Sequence, residues 1–163
     1  MNLVIAVLSG LIVAVLTIPA IARDRGTNFI VVPGKSLGVV HIGDTMNQLV
    51  SNGFQPDKDR DPLQFCRKGP ILARLESDRV VQLWFDGDYA HLLFKKKRFP
   101  SKKDPETLRK YFRDCEATVV GSGGTLIYCE NRGVELAYRN NAEFIGLSIV
   151  TPDVVKKVIQ NSQ

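Results

Sequence analysis

The chain has 163 residues, 44% of them hydrophobic and 24% charged, which fits one compact domain or two small repeats and excludes global disorder. The formal net charge of +5 has a local origin. Six of the 22 basic residues (Lys95, Lys96, Lys97, Arg98, Lys102 and Lys103) fall in the acid-free run 95–103, while the rest balance the 17 acidic residues, so the body of the protein is near neutral.

In chain order, the first feature is a charge-free apolar run from Leu3 to Ile18. With Pro19 to Ala22 it reaches about 20 residues, enough for a helix to cross a hydrocarbon core of roughly 30 Å. Pro19 and the small pair Ala20 and Ala22 in A-x-A spacing suit a cleaved signal peptide. No Lys or Arg precedes Leu3, which suits a retained anchor instead, while Arg23 and Arg25 after the run would by themselves favour a cytoplasmic C-terminal side. Residues 1–22 are thus a signal peptide or a membrane anchor, and 23–36 a stalk. The body is expected outside the cytoplasm, in the periplasm or cell envelope. With no Cys in or near the run, a lipidated N-terminus is excluded.

A short helix is predicted over Met46 to Asn52, with Thr45 as N-cap and Gly53 as stop. Short runs rich in β-branched and aromatic residues follow, separated by turn formers: Leu63 to Gly69, Ile71 to Leu75, and Val80 to Phe85 after the polar turn Glu76-Ser77-Asp78. Tyr89 to Lys96 adds a strand before the basic linker. A second helix begins with Asp104 as cap and Pro105 in first position, carrying an apolar stripe of Leu108, Tyr111 and Phe112. Leu126 to Gly133, Val134 to Tyr138 and Phe144 to Ile149 then repeat the earlier strand pattern. In Val134 to Arg139 the apolar positions alternate with Glu135, Ala137 and Arg139, which implies one buried and one wetter face. Residues 152–163 read as a closing amphipathic helix.

The similarity of the two blocks predicts an internal duplication. The fold class expected is α+β: two repeats of short helix plus antiparallel β-meander, residues 37–98 and 99–151, forming a sheet with helices on one face. Of the three cysteines, Cys115 and Cys129 flank the turn Gly121-Ser122-Gly123-Gly124 and can pair in an oxidising compartment, leaving Cys66. The alternative is three buried thiols.

The second block, LIYCENRGVELAYRNNAEFIGLSIV, resembles the meander of the SmpA/OmlA (BamE-like) and β-lactamase-inhibitor-protein-like superfamily. The segment VPGKSLGVVHIGDTMNQL is similar to the strand and short helix that open that unit, departing at Asp44, where Met is usual. The resemblance spans about residues 32–150. It implies a periplasmic α+β domain whose sheet carries helices on one face and meets a partner on the other. It also implies the disulfide Cys115–Cys129 and no counterpart for it in the first repeat.

Residues arranged for catalysis are not found. His41 and His91 lie far apart, His41 in the apolar run Val39 to Ile42 as a structural residue and His91 as a strand residue on the wetter face; neither has a zinc ligand at the usual spacing. Gly34-Lys35-Ser36 lacks the leading glycine of a phosphate loop, Gly121 to Gly124 precedes a strand, and the acids of Asp57 to Asp61 lack the Gly and Glu of a calcium loop. The expectation is no enzyme, no cofactor and no metal. Candidate anchors for a protein partner are Trp84, Tyr89 and Tyr138, because rigid aromatics often dominate interfaces. The run Lys95, Lys96, Lys97, Arg98, Lys102 and Lys103 offers the alternative of binding anionic lipid. Aromatics do not interleave with these charges, so nucleic acid is not expected.

Overall fold

The computed structural model describes residues 28–113, 115–120, 124–129, 133–151 and 153–154. The segment 3–22 therefore lies outside the described residues, and of 152–163 only Asp153 and Val154 fall within them. Among the described residues no helix is long and apolar enough to cross a membrane.

The fold is mixed α+β, dominated by sheet, with two short helices among the described residues. Its elements are β1 (Phe29–Val32), β2 (Ser36–Leu37), β3 (Val40–His41), α1 (Met46–Ser51), β4 (Gln55–Pro56), β5 (Phe65–Lys68), β6 (Ile71–Glu76), β7 (Arg79–Phe85), β8 (Leu92–Phe94), β9 (Lys97–Arg98), α2 (Pro105–Phe112), β10 (Glu116–Val120), β11 (Gly124–Cys129), β12 (Val134–Arg139) and β13 (Phe144–Val150). A 3-10 turn, Tyr89–His91, links β7 to β8. The eight-stranded sheet runs β10-β11-β12-β13-β7-β6-β5-β4, and a five-stranded sheet runs β3-β2-β1-β8-β9.

Local chemistry explains both helices. Thr45 and Gln48 close a capping box at α1, the Gln48 N–H donating to Thr45 Oγ1 at 3.3 Å and the Thr45 N–H to Gln48 Oε1 at 2.8 Å. Asp104 accepts the Thr107 N–H at 3.0 Å and the Thr107 hydroxyl at 2.7 Å, and Pro105 occupies the position where a missing N–H costs nothing. Leu49 from α1, with Leu108 and Phe112 from α2, packs into one core with Ala73, Leu83, Leu136 and Leu147 of the large sheet.

Two parts of the molecule differ from the expected layout. Residues 29–36 are not stalk: β1 lies parallel beside β8, pairing Phe29 with Leu92 and Val31 with Phe94, and Val31 is buried. This pairing takes β8 into the small sheet instead of extending the first meander. The turn after β1 docks so closely on the start of β12 that a Cβ on Gly133 would collide with the Gly34 backbone and the Val150 carbonyl oxygen. Only glycine fits there, and its φ of +58° is one that glycine adopts freely.

A helix followed by four strands occurs twice, as α1 with β4–β7 and as α2 with β10–β13. The two meanders meet edge to edge where β7 pairs antiparallel with β13, Trp84 opposite Ser148 and Leu83 opposite Ile149. Burial follows one order in β6 and β12, with three buried residues, one half-buried, one buried and one exposed. Each strand also shifts register after its fourth residue, between Arg74 and Leu75 and between Ala137 and Tyr138.

Candidate partner-binding site on the open sheet face

Alternation along the strands gives the large sheet two faces of different chemistry. Ile71, Ala73, Leu83, Phe85, Leu136 and Leu147 join the core under the helices. Their neighbours Leu72, Trp84, Glu135 and Ser148 turn the other way and line a concave pocket of about 330 Å³ over the β7–β13 seam. Register brings these four together: Leu72 sits opposite Trp84, Trp84 opposite Ser148, and Ser148 opposite Glu135.

The half-buried Trp84 forms an apolar wall, its ring 6.2 Å from that of Phe65. Ile145, 55% exposed, stands on the rim. The floor is polar and buried. Ser148 Oγ donates to Glu135 Oε1 at 2.8 Å, and Gln82 Nε2 donates to Glu135 Oε1 at 3.3 Å and to Ser148 Oγ at 3.2 Å. The buried Tyr128 stands opposite Glu135 in register, and burial first, then the nearby negative charge, pushes its pKa well up. The near end of the pocket is cationic but already satisfied. Arg67 bridges Asp57 at 3.1 Å and Asp86 at 3.3 Å, while Arg60 lies 5.3 Å above the Phe65 ring. Hydrogen bonds from the Asp59 N–H and from Arg67 hold the Asp57 carboxyl below the usual carboxylate range.

Trp84 is thus the one aromatic candidate on the open face, while Tyr89 and Tyr138 belong to the core. Tyr89, 8% exposed, packs against Phe85, Phe99 and Phe144; its hydroxyl donates to the Phe85 carbonyl at 2.9 Å and accepts the Leu147 N–H at 3.1 Å. Its reach across β7 and β13 from the covered side makes it a structural pin. Tyr138, 2% exposed, follows Val134 and Leu136 onto the core face, as strand alternation requires.

Lys95 to Arg98 are not on a linker, whereas Lys102 and Lys103 lie in the connection from β9 to α2. Lys95 and Lys96 form the turn of the β8–β9 hairpin and, with Lys97 and Arg98, are exposed. Lys102 pairs with Asp104 at 3.5 Å, and Lys103 lies 4.6 Å above the Tyr89 ring. Cys115 and Cys129 are joined in a disulfide that extends the Glu116–Tyr128 register by one pair. Cys66 is a free buried thiol, 3.2 Å from Met46 Sδ, with Pro56 opposite it on β4.

His41 is exposed, with Nδ1 3.7 Å from Asp44 Oδ2, which corrects its reading as a packed residue. His91 is the last residue of the 3-10 turn, with Nε2 3.9 Å from Asp88 Oδ2, and is not in a strand. Among the described residues no group of three or more His, Cys, Asp or Glu side chains converges on a metal position. The reading of single residues passed over Gln82, Glu135 and Ser148. Their signal was one polar residue inside each apolar strand run, Val80 to Phe85, Val134 to Tyr138 and Phe144 to Val150. Comparison of the chain with protein-family models, curated proteins and solved structures finds no match.

Proposed function

We propose that this chain is a non-catalytic protein-binding domain of the bacterial cell envelope, working through the open sheet face at the β7–β13 seam. The observation that carries this reading is the pocket, where a half-exposed Trp84 and an exposed Ile145 stand beside a buried polar floor. Interfaces commonly combine an aromatic anchor with a small number of fixed polar groups. The Cys115–Cys129 disulfide supports an oxidising compartment. The resemblance to the SmpA/OmlA and β-lactamase-inhibitor-protein-like superfamily supports an assembly-factor or inhibitor-like role. The shared order of helix and strands, together with the matching register shifts in β6 and β12, supports a tandem duplication. On this reading residues 1–22 deliver the domain across the inner membrane, either cleaved or retained as anchor. Wild-type protein and Trp84→Ala, used in parallel as bait in envelope extract, test it. A specific partner held by the wild type and lost by the variant is expected; equal capture by both would reject the face.

The β8–β9 hairpin favours a second reading, contact with an anionic membrane surface. Lys95 and Lys96 adopt φ of 48° and 65°, in a turn where Asn and Gly are the residues the backbone prefers. Backbone geometry therefore does not explain the two lysines, and four successive cations reach solvent at one tip. Binding to anionic vesicles that weakens with salt, and is lost when Lys95, Lys96, Lys97 and Arg98 become Ser, is the expected outcome. Binding unchanged by those substitutions would reject this reading.

A further inference from the structure

Glu135 is 8% exposed, and among the described residues its hydrogen-bond donors, Ser148 and Gln82, are neutral. None of the ion pairs among the described residues includes it. A carboxylate withdrawn from water without a cation is costly, and such groups are ordinarily paired. Of the two cations among the described residues lining the pocket, Arg67 is paired with Asp57 and Asp86, and Arg60 lies over the Phe65 ring. Above the carboxylate is open space of about 330 Å³, walled by Trp84 and Leu72. Indole is the best aromatic surface for a cation, and a planar guanidinium can stack on it while meeting a carboxylate edge-on.

From this charge complementarity we infer that the pocket receives an arginine side chain of the partner protein, its guanidinium on Glu135 and its plane against Trp84. The inference rests on the protein-binding reading above and names the chemistry of the partner's anchor. Arg60 and Arg67 sharpen the choice. They occupy the near end of the pocket, so the incoming cation is confined to the Glu135 end, between Trp84 and the β12–β13 strands.

The test uses the full chain, isotopically labelled and held in detergent, titrated with N-acetyl-arginine amide, and with N-acetyl-norleucine amide as the apolar control. Trp84 is the only tryptophan in the sequence, so its indole N–H gives one resonance to follow, alongside the backbone amides of Gly146 and Ser148. A saturable shift in the millimolar range is expected with the arginine probe alone. Glu135→Gln, with its melting curve checked, weakens that binding at least tenfold. Trp84→Leu, read from the Gly146 amide, weakens it too and serves if the first variant folds poorly. No saturable shift, an equal response to norleucine, or binding unchanged in both variants would overturn the inference. Capture from envelope extract separates the two levels: a partner lost by Trp84→Ala but retained by Glu135→Gln removes the arginine and leaves the face. A partner retained by Trp84→Ala removes the face itself.

Discussion

The two helix–meander halves share one order of helix and strands and differ in what they bring to their shared seam. At matching strand positions the first half places Leu72 opposite Trp84, and the second places Glu135 opposite Ser148. The first half therefore supplies the apolar wall and Gln82, and the second supplies Glu135 and Ser148, the rest of the buried polar floor. The covered faces diverge less, with Leu83 and Leu147 occupying corresponding core sites. They differ again in closure. Cys129 on β11 is bonded to Cys115, whereas Cys66 on β5 faces Pro56 and rests its thiol on Met46. Packing constrains the core side of both halves in one way, and the open side is free to vary. That is where binding chemistry should be sought.

The largest effect tests whether the halves share one core. Leu83→Ala and Leu147→Ala each remove a large side chain from a site with at most 1% exposure, and each should cost about 2–5 kcal/mol. Calorimetry should show one transition shifted by a similar amount in both variants. Two separate transitions would mean that the halves are independent.

Closure comes next. Replacing Cys115 and Cys129 by Ser removes a cross-link between residues 14 apart, and should cost about 3 kcal/mol on the chain-entropy account. Cys66→Ala should cost less, since it removes contacts and no covalent bond. Melting curves with and without reductant check the contrast, and a wild-type melting point indifferent to reductant would break it.

Tyr89 joins β7 to β13 from beneath, so Tyr89→Phe should cost about 1–3 kcal/mol, because the buried Leu147 N–H loses its acceptor. The same residue gives a pH signature. Burial, the dominant cause, pushes its pKa up to about 12, above the ordinary value of 10.0. The folded state then holds a proton that the unfolded chain releases, so its contribution is intact below pH 10.0 and is lost as pH rises toward about 12. Tyr128 and Tyr138 are raised by burial in the same direction. Tyrosinate absorbance should appear together with unfolding in alkali; ionisation of three tyrosines well before unfolding would contradict their packing. The smallest effect is local: Thr45→Ala opens the capping box of α1 and should cost about 1 kcal/mol, measured by denaturant titration.

Sequence pattern made the helices and meanders legible because their signals are local. Thr45, Asp104 and Pro105 mark helix starts by hydrogen bonds within three residues, and the turn Ser77-Asp78 sits between two apolar runs. Strand partners were less legible. That β1 pairs parallel with β8 depends on contacts more than 60 residues apart, such as Phe29 with Leu92, and no short-range pattern carries them. The candidate site was half legible. Trp84 stood out by type, but Glu135 gained meaning only once Gln82 and Ser148 were seen beside it, from strands 53 and 13 residues away. Tyr89 and Tyr138 misled because an aromatic ring suits a core as well as an interface. For Tyr138, its alternation with Val134 and Leu136 already pointed inward.

The open face at the β7–β13 seam is proposed to meet a protein. A photo-reactive residue at Ile145, 55% exposed on the pocket rim, tests it in intact cells against the same residue at Val39, 58% exposed beside a different cleft. A protein-binding role for this face predicts a discrete cross-linked protein from position 145 that disappears on adding Trp84→Ala, and none from position 39. Cross-linking to the same protein from both positions, or from neither, would contradict it.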